Sequence, residues 1–168
     1  MKTYEIVFES DKIYFCKVDY MFIEDYMKMI NDPEVSSKIS HHEMHVTYKD
    51  EFNWVTQHLD ATDDITYTMI DKETKEFIGN ISLMNIKDGS TEMGICITAN
   101  MQDKHYGTEA IKALVEYAYT KLGLKKVYLN VFNDNARAIR CYENVGFYKD
   151  GEEPRERTDI HMTHRRQI

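Results

Sequence analysis

Glycine and proline are scarce, at 7 and 2 residues in 168. That excludes collagen-like, low-complexity and disordered architectures. Cysteine is rarer still. Cys16, Cys96 and Cys141 are odd in number and widely spaced, with no Cys-x-x-Cys and no Cys/His ligand pair. No disulfide framework and no metal site are therefore expected, and a reducing cytoplasm is the expected compartment. No apolar run is long enough to span a bilayer, and Met1-Lys2-Thr3-Tyr4-Glu5 lacks an apolar signal core, so a soluble chain is expected. Basic charge is in deficit, with 21 Lys+Arg against 29 Asp+Glu and a net charge of −8. That balance argues against a nucleic-acid or membrane partner and is compatible with a cationic one.

What is present is a chain with 42% hydrophobic and 12% aromatic residues, of a length that suits one domain with its own core. No linker or repeat interrupts it, so residues 1–168 are treated as a single domain. Alternation predicts short strands over 3–9 and 12–18, and Asp19 can cap a helix over 20–31 that Asn31-Asp32-Pro33 stops. Residues 34–47 read as irregular, followed by a helix over 48–60 with Phe52, Val55 and Leu59 on one face. Strands are predicted over 65–71, 76–86 and 92–98, a helix over 107–122, a strand over 126–132 and a helix over 134–145. Two closing strands follow, near 147–151 and 157–164. The 65–98 run should form an antiparallel meander, and the strand–helix–strand unit at 92–132 a parallel crossover. The fold class is α/β, a mixed and mostly antiparallel sheet with helices on both faces.

Chemistry concentrates in two stretches. Gln102-Asp103-Lys104-His105-Tyr106-Gly107-Thr108 lies between a strand and a helix, where successive N–H groups and the helix dipole can converge on an anion. Gly107 permits close backbone approach and Lys104 offers a cation, whereas Asp103 and Glu109 oppose a bare phosphate site. A helix start that uses glycine only for geometry is the alternative. The second stretch, Asn133 to Phe147, opens with capping residues, carries small Ala136 and Ala138, and ends in Tyr142-Glu143-Asn144-Val145-Gly146-Phe147.

Together the two stretches resemble the GNAT family of acyl-CoA N-acetyltransferases. The family's Gln/Arg-x-x-Gly-x-Gly/Ala loop is matched at Gln102 and Gly107, with His105 where the first glycine is usual. Its later pattern is matched at Asn135, Ala138, Tyr142, Glu143, Gly146 and Phe147. The element order from 65 to 151 agrees, and the ribosomal-protein and spermidine acetyltransferase branches look most similar.

The resemblance implies a three-layer fold in which strands 92–98 and 126–132 splay apart around acetyl-CoA, the co-substrate. It places the pyrophosphate against Asp103, Lys104, His105, Tyr106, Gly107 and Thr108, and the pantetheine along Ile95, Cys96, Ile97 and Thr98, like an added strand. Gln102, Asn130, Asn135 and Ala138 complete the implied cofactor contacts, although Asn135 also reads as a helix cap. The reaction implied is direct attack of an amine on the thioester, with an oxyanion met by a backbone N–H near Ile97. Tyr142 would protonate the leaving thiolate, or else be one more aromatic packed inward. Asn130 stands where the ribosomal-protein branch carries a glutamate, so the base is open. Glu92 acting through a water is one candidate, and a plain surface strand residue is its alternative. Glu43, His41, His42 and His45 sit in a loop expected to line the acceptor side. His42-Glu43-Met44-His45 is one residue short of a zinc-protease motif, which removes that reading. The charged run Glu152–Arg157 reads as a hairpin loop bordering the acceptor. The acceptor itself stays open between a polyamine, another small amine and a protein N-terminus. A non-catalytic CoA-binding sensor or interaction module is the competing function, and a homodimer is left open.

Overall fold

The computed structural model describes residues 3–40, 44–153 and 158–167. Eight strands form one sheet in the order β1-β2-β3-β4-β5-β6-β8-β7. They are β1 (Ile6–Glu9), β2 (Ile13–Lys17), β3 (Ile65–Asp71), β4 (Phe77–Lys87), β5 (Ser90–Ile97), β6 (Lys126–Phe132), β7 (Tyr148–Glu153) and β8 (Asp159–Arg165). Every neighbouring pair is antiparallel except β5 with β6. The expected meander and parallel unit are both present, and the mixed α/β class holds.

Alternation along the strands divides the core between two faces. On β2 and β3, Ile13, Phe15, Tyr67 and Met69 join a large cluster with α4 (Tyr106–Thr120) and α5 (Ala136–Val145). Their neighbours Cys16 and Ile70 join a second cluster with α1 (Ile23–Asn31) and α3 (Tyr48–His58). Helices therefore cover both faces. Between Thr68 and Tyr26 a buried hydroxyl pair at 2.6 Å ties α1 to the sheet.

The local signals explain the elements. Asp19 accepts from Met21 N at 2.9 Å and opens a 3-10 turn, Tyr20–Phe22, that leads into α1. Thr47 and Asp50 form a reciprocal capping box at α3. Gly146, at φ 116°, ends α5 in the left-handed conformation that glycine adopts readily.

Three expectations are corrected. The stretch 34–47 is not wholly irregular, because α2 (Pro33–Ile39) begins at the very residues read as a stop. The Asp32 side chain accepts from Glu34 N, and Pro33 occupies the first helical position, where its missing N–H costs nothing. The buried face of α3 is Glu51 and Val55, not Phe52, which is 45% exposed and stacks on Tyr20 with ring centroids 4.7 Å apart. Glu152 and Glu153, read as the start of a hairpin loop, instead close β7, opposite Ile160 and Asp159 of β8; the loop positions His41, His42 and Glu43 and the hairpin positions 154–157 lie outside the described residues. No helix among the described residues is long and apolar enough to cross a membrane.

Candidate functional site

Parallel pairing between β5 and β6 stops early. Register holds at Ser90↔Lys126, Thr91↔Val127 and Glu92↔Tyr128. β6 remains paired with β8 along its whole length, to Phe132↔Asp159. Beyond Glu92, β6 therefore leaves with β8 and β7 while β5 stays with β4. A cavity of about 1030 Å³ opens at this split.

The backbone of β5 is available to it. Thr98 N donates to Ile78 O at 2.9 Å, and hydrogen-bonded pairs alternate along an antiparallel ladder. With Cys96 opposite Asn80 and Gly94 opposite Ser82, those residues spend their backbone groups on β4. Ile95 and Ile97 accordingly turn theirs toward the departing β6. Consistent with this, Ile97 O accepts from the Gln102 side chain at 3.0 Å. Gly79 makes the close β4–β5 approach feasible, since a Cβ there would lie 2.0 Å from Cys96 O.

The loop before α4 forms one end of the cavity. Asp103 and His105 both have positive φ, 61° and 68°, and His105 is the residue that caps the helix in the left-handed conformation. That backbone accounts for a glycine at this position in the resembled motif. Gly107 has no such constraint. A methyl there would meet only ordinary contacts at 3.6 Å with Cys141 and Ile97, so the smallness of Gly107 serves the cavity side rather than internal packing. Asp103 is paired with Arg137 at 2.6 Å.

Among the anticipated residues, Glu92, Ile95, Cys96, Ile97, Gln102, Asp103, His105, Gly107 and Thr108 line the cavity, as do Asn130, Asn135, Ala138 and Tyr142. Thr98, Lys104 and Tyr106 stand apart from it. The Thr98 amide is used by β4, Lys104 is exposed at the turn, and the Tyr106 hydroxyl donates to Asp71 at 2.5 Å, a bond that pushes its pKa up to about 12. Asn135 Oδ1 accepts from Ala138 N at 3.4 Å, so its capping role coexists with its place on the wall. Glu92 is met by the Asn85 amide at 3.5 Å, on the last residue pair before the split.

Tyr142 is 9% exposed. Burial, with Cys141 beside it, moves its phenol well above the usual tyrosine value, so it is fully protonated at neutral pH. Two other buried tyrosines are anchored, Tyr26 on Thr68 and Tyr119 on His164. Among the described residues the Tyr142 hydroxyl has no such bond. Burial also raises the Cys96 thiol to about 12, which leaves it an inert wall group.

Several lining residues carry no signal in the motifs. Arg137 brings its guanidinium to Asp103 and Gln102 at the loop end, Lys38 of α2 joins it at Gln102, and Arg140, one turn further along α5, also lines the cavity. The opposite end is formed by Glu51, Asp50 and Trp54 of α3 with Tyr26 and Met29 of α1. Glu51 is 7% exposed, and burial, followed by the adjacent Asp50, raises its pKa. Its spacing to Val55, one helical turn, is the signal that could have found it: a carboxylate in the buried stripe of α3. Asp50, held by Thr47, is shifted down and stays ionised. Among the described residues no group of His, Cys, Asp and Glu is arranged to hold a metal. His45 is described and exposed.

Residues 19–148 match the model of the acetyltransferase (GNAT) domain. The spermidine N(1)-acetyltransferase of Vibrio cholerae is 32% identical over 85 residues, 49% of this chain and 49% of that protein. That of Escherichia coli K12 is 39% identical over 61 residues, 36% of this chain and 33% of its own. The sequence match thus spans about half the length of the first relatives. A crystal structure of V. cholerae spermidine N-acetyltransferase with CoA and spermine superposes with TM-score 0.85 at 21% identity, covering 93% of this chain and 96% of that one. A GNAT-family acetyltransferase of Bacillus anthracis gives 0.82 at 16%, covering 94% and 96%. At these identities the structures speak to the fold.

Proposed function

The chain belongs to the GNAT acetyltransferase family, and from that premise we propose that it transfers an acetyl group from acetyl-CoA to a primary amine of a polyamine-like acceptor. The observation that carries this reading is the split between β5 and β6, with Tyr142 and the outward backbone of Ile95 and Ile97 on its walls. The residues present fit the cofactor. An anion can meet the N–H groups at the start of α4, and an extended arm can pair with Ile95 and Ile97 as a short added strand. Acetyl-CoA supplies an activated thioester.

The rest is done by the chain. The Ile97 N–H, turned toward the cavity, would stabilise the oxygen on which charge develops. The Tyr142 hydroxyl keeps its proton at neutral pH and would be the group to give it to the leaving thiolate. Glu92 offers a carboxylate at the head of the split for the amine proton, through a water.

The acceptor end supports a cationic, alkyl-chained amine. Glu51, Asp50 and Glu92 supply negative charge, and Met29 and Trp54 supply apolar and π surface between them. In the relatives of similar sequence the named acceptors are spermidine and spermine. All three cysteines are free, which supports a reducing cytoplasm as the setting.

The test is thiol release from acetyl-CoA with spermine, spermidine, an aminoglycoside and an Ala-starting peptide. Release with the polyamines is expected. Release only with the peptide would move the acceptor to protein N-termini. Acetyl-CoA binding with no release for any amine would replace the enzyme by a cofactor-binding module.

A further inference from the structure

α5 reaches across the cavity mouth to the loop before α4 through one side chain. Arg137 places one guanidinium nitrogen 2.6 Å from Asp103 Oδ1 and donates from the other to Gln102 Oε1 at 2.7 Å. Gln102 donates in turn to Ile97 O at 3.0 Å, and Lys38 donates to Gln102 Oε1 at 3.4 Å. All five residues line the cavity. The network ties the end of β5, the loop and two helices to one arginine.

The placement of Asp103 is unusual for an anion site. Its carboxylate stands just ahead of α4, where a negative charge is favourable to the helix but repels any phosphate approaching the same N–H groups. The Asp103 and Arg137 side chains are 70% and 45% exposed. A pair so exposed is weak by itself and is exchanged readily. A phosphate, in contrast, offers the same planar fork a second bidentate partner.

We propose that Arg137 is a phosphate-binding residue held in reserve by Asp103. In the free protein the guanidinium neutralises Asp103. When the acetyl-CoA pyrophosphate meets the loop, Arg137 turns its fork to the phosphate oxygens. When CoA leaves, Asp103 recaptures it. Asp103 thereby competes with the cofactor and limits how tightly it is held, which favours product release. This inference rests on the acetyl-CoA reading of the site.

Calorimetric titration of acetyl-CoA into wild type, Arg137→Gln, Asp103→Asn and the double variant tests it. Melting curves should establish that each variant is folded. Arg137→Gln is expected to weaken binding about tenfold or more, and Asp103→Asn to tighten it. The arginine, freed of its competitor, should then be worth more, so Arg137→Gln should cost more in the Asp103→Asn background than in wild type. No cost in that background would reduce Arg137 to a neutraliser of Asp103 and overturn the proposal. So would equal weakening by both single variants with nothing added in the double, the pattern of a purely structural strap. Wild type that takes up no acetyl-CoA would sink the cofactor reading and this inference together. Wild-type binding with either failing pattern sinks the Arg137 role alone.

Discussion

The two ends of the cavity are built differently. At the loop end, the groups facing the cavity are largely backbone: the outward faces of Ile95 and Ile97 and the N–H groups opening α4. The side chains there, Gln102, Asp103 and Arg137, are bound mainly to one another. At the α1–α3 end the cavity is formed by side chains, with Glu51 carrying a charge into a buried position and Trp54 and Met29 beside it. On the proposed reading, the first end would meet a polyanion through backbone N–H groups and the Arg137 fork. The second, on the same reading, would select its ligand through the identity of individual residues.

The largest effect expected lies where the two ends meet. Tyr142→Phe should lower turnover by about a hundredfold, the usual scale for losing a positioned acid, and leave the acetyl-CoA dissociation constant nearly unchanged. Its hydroxyl has no protein partner among the described residues, so its removal should not cost stability. Equal turnover in the variant would reduce Tyr142 to packing. Turnover that falls together with cofactor affinity would erase the distinction between the ends.

A smaller effect separates the ends from the acceptor side. Glu51→Gln should raise the polyamine KM about tenfold, the scale of one charged hydrogen bond, with acetyl-CoA binding unaltered. An uncharged aromatic amine tested in parallel should not register the change. If Glu51→Gln leaves the polyamine KM alone, the acidic end is a solvated wall.

The difference between the ends also decides what could be read before the fold was known. The loop end is written in contiguous motifs, because turns, caps and small residues act locally: Gly146 and Asn135 each do at their own position what their residue type suggests. The meander of β3 to β5 and the parallel unit of β5 with β6 followed from period and connectivity, whereas the place of β8 between β6 and β7 did not. The acceptor end depends on which residues of α1, α2 and α3 converge, a long-range matter. There the local signals misled: Asp32-Pro33 starts α2 as well as ending α1, and Phe52 was placed inward while the charged Glu51 takes the buried position. Arg137 was in view within the second motif stretch, but its partner Asp103 lies 34 residues away in sequence, and no periodicity connects them.

The smallest effect concerns pH and the cost of that buried carboxylate. Burial raises the Glu51 pKa, with Asp50 adding to the shift, so the folded protein holds its proton more tightly than the unfolded chain does. A group of this kind contributes its stability below the unfolded value and loses it as pH rises through the folded one. At neutral pH, Glu51 is therefore a net cost to the fold, and Glu51→Gln should melt above wild type. The gap should close as pH falls into the ordinary carboxylate range, where both side chains are neutral. The same titration weakens the acceptor end, because protonating Glu51 removes a charge from it. Polyamine KM should rise over that acidic window in wild type and rise less in Glu51→Gln. A melting gap that is constant with pH, or of opposite sign, would mean that Glu51 is compensated by a partner at the acceptor end, and its stability cost could not then be the counterpart of substrate recognition.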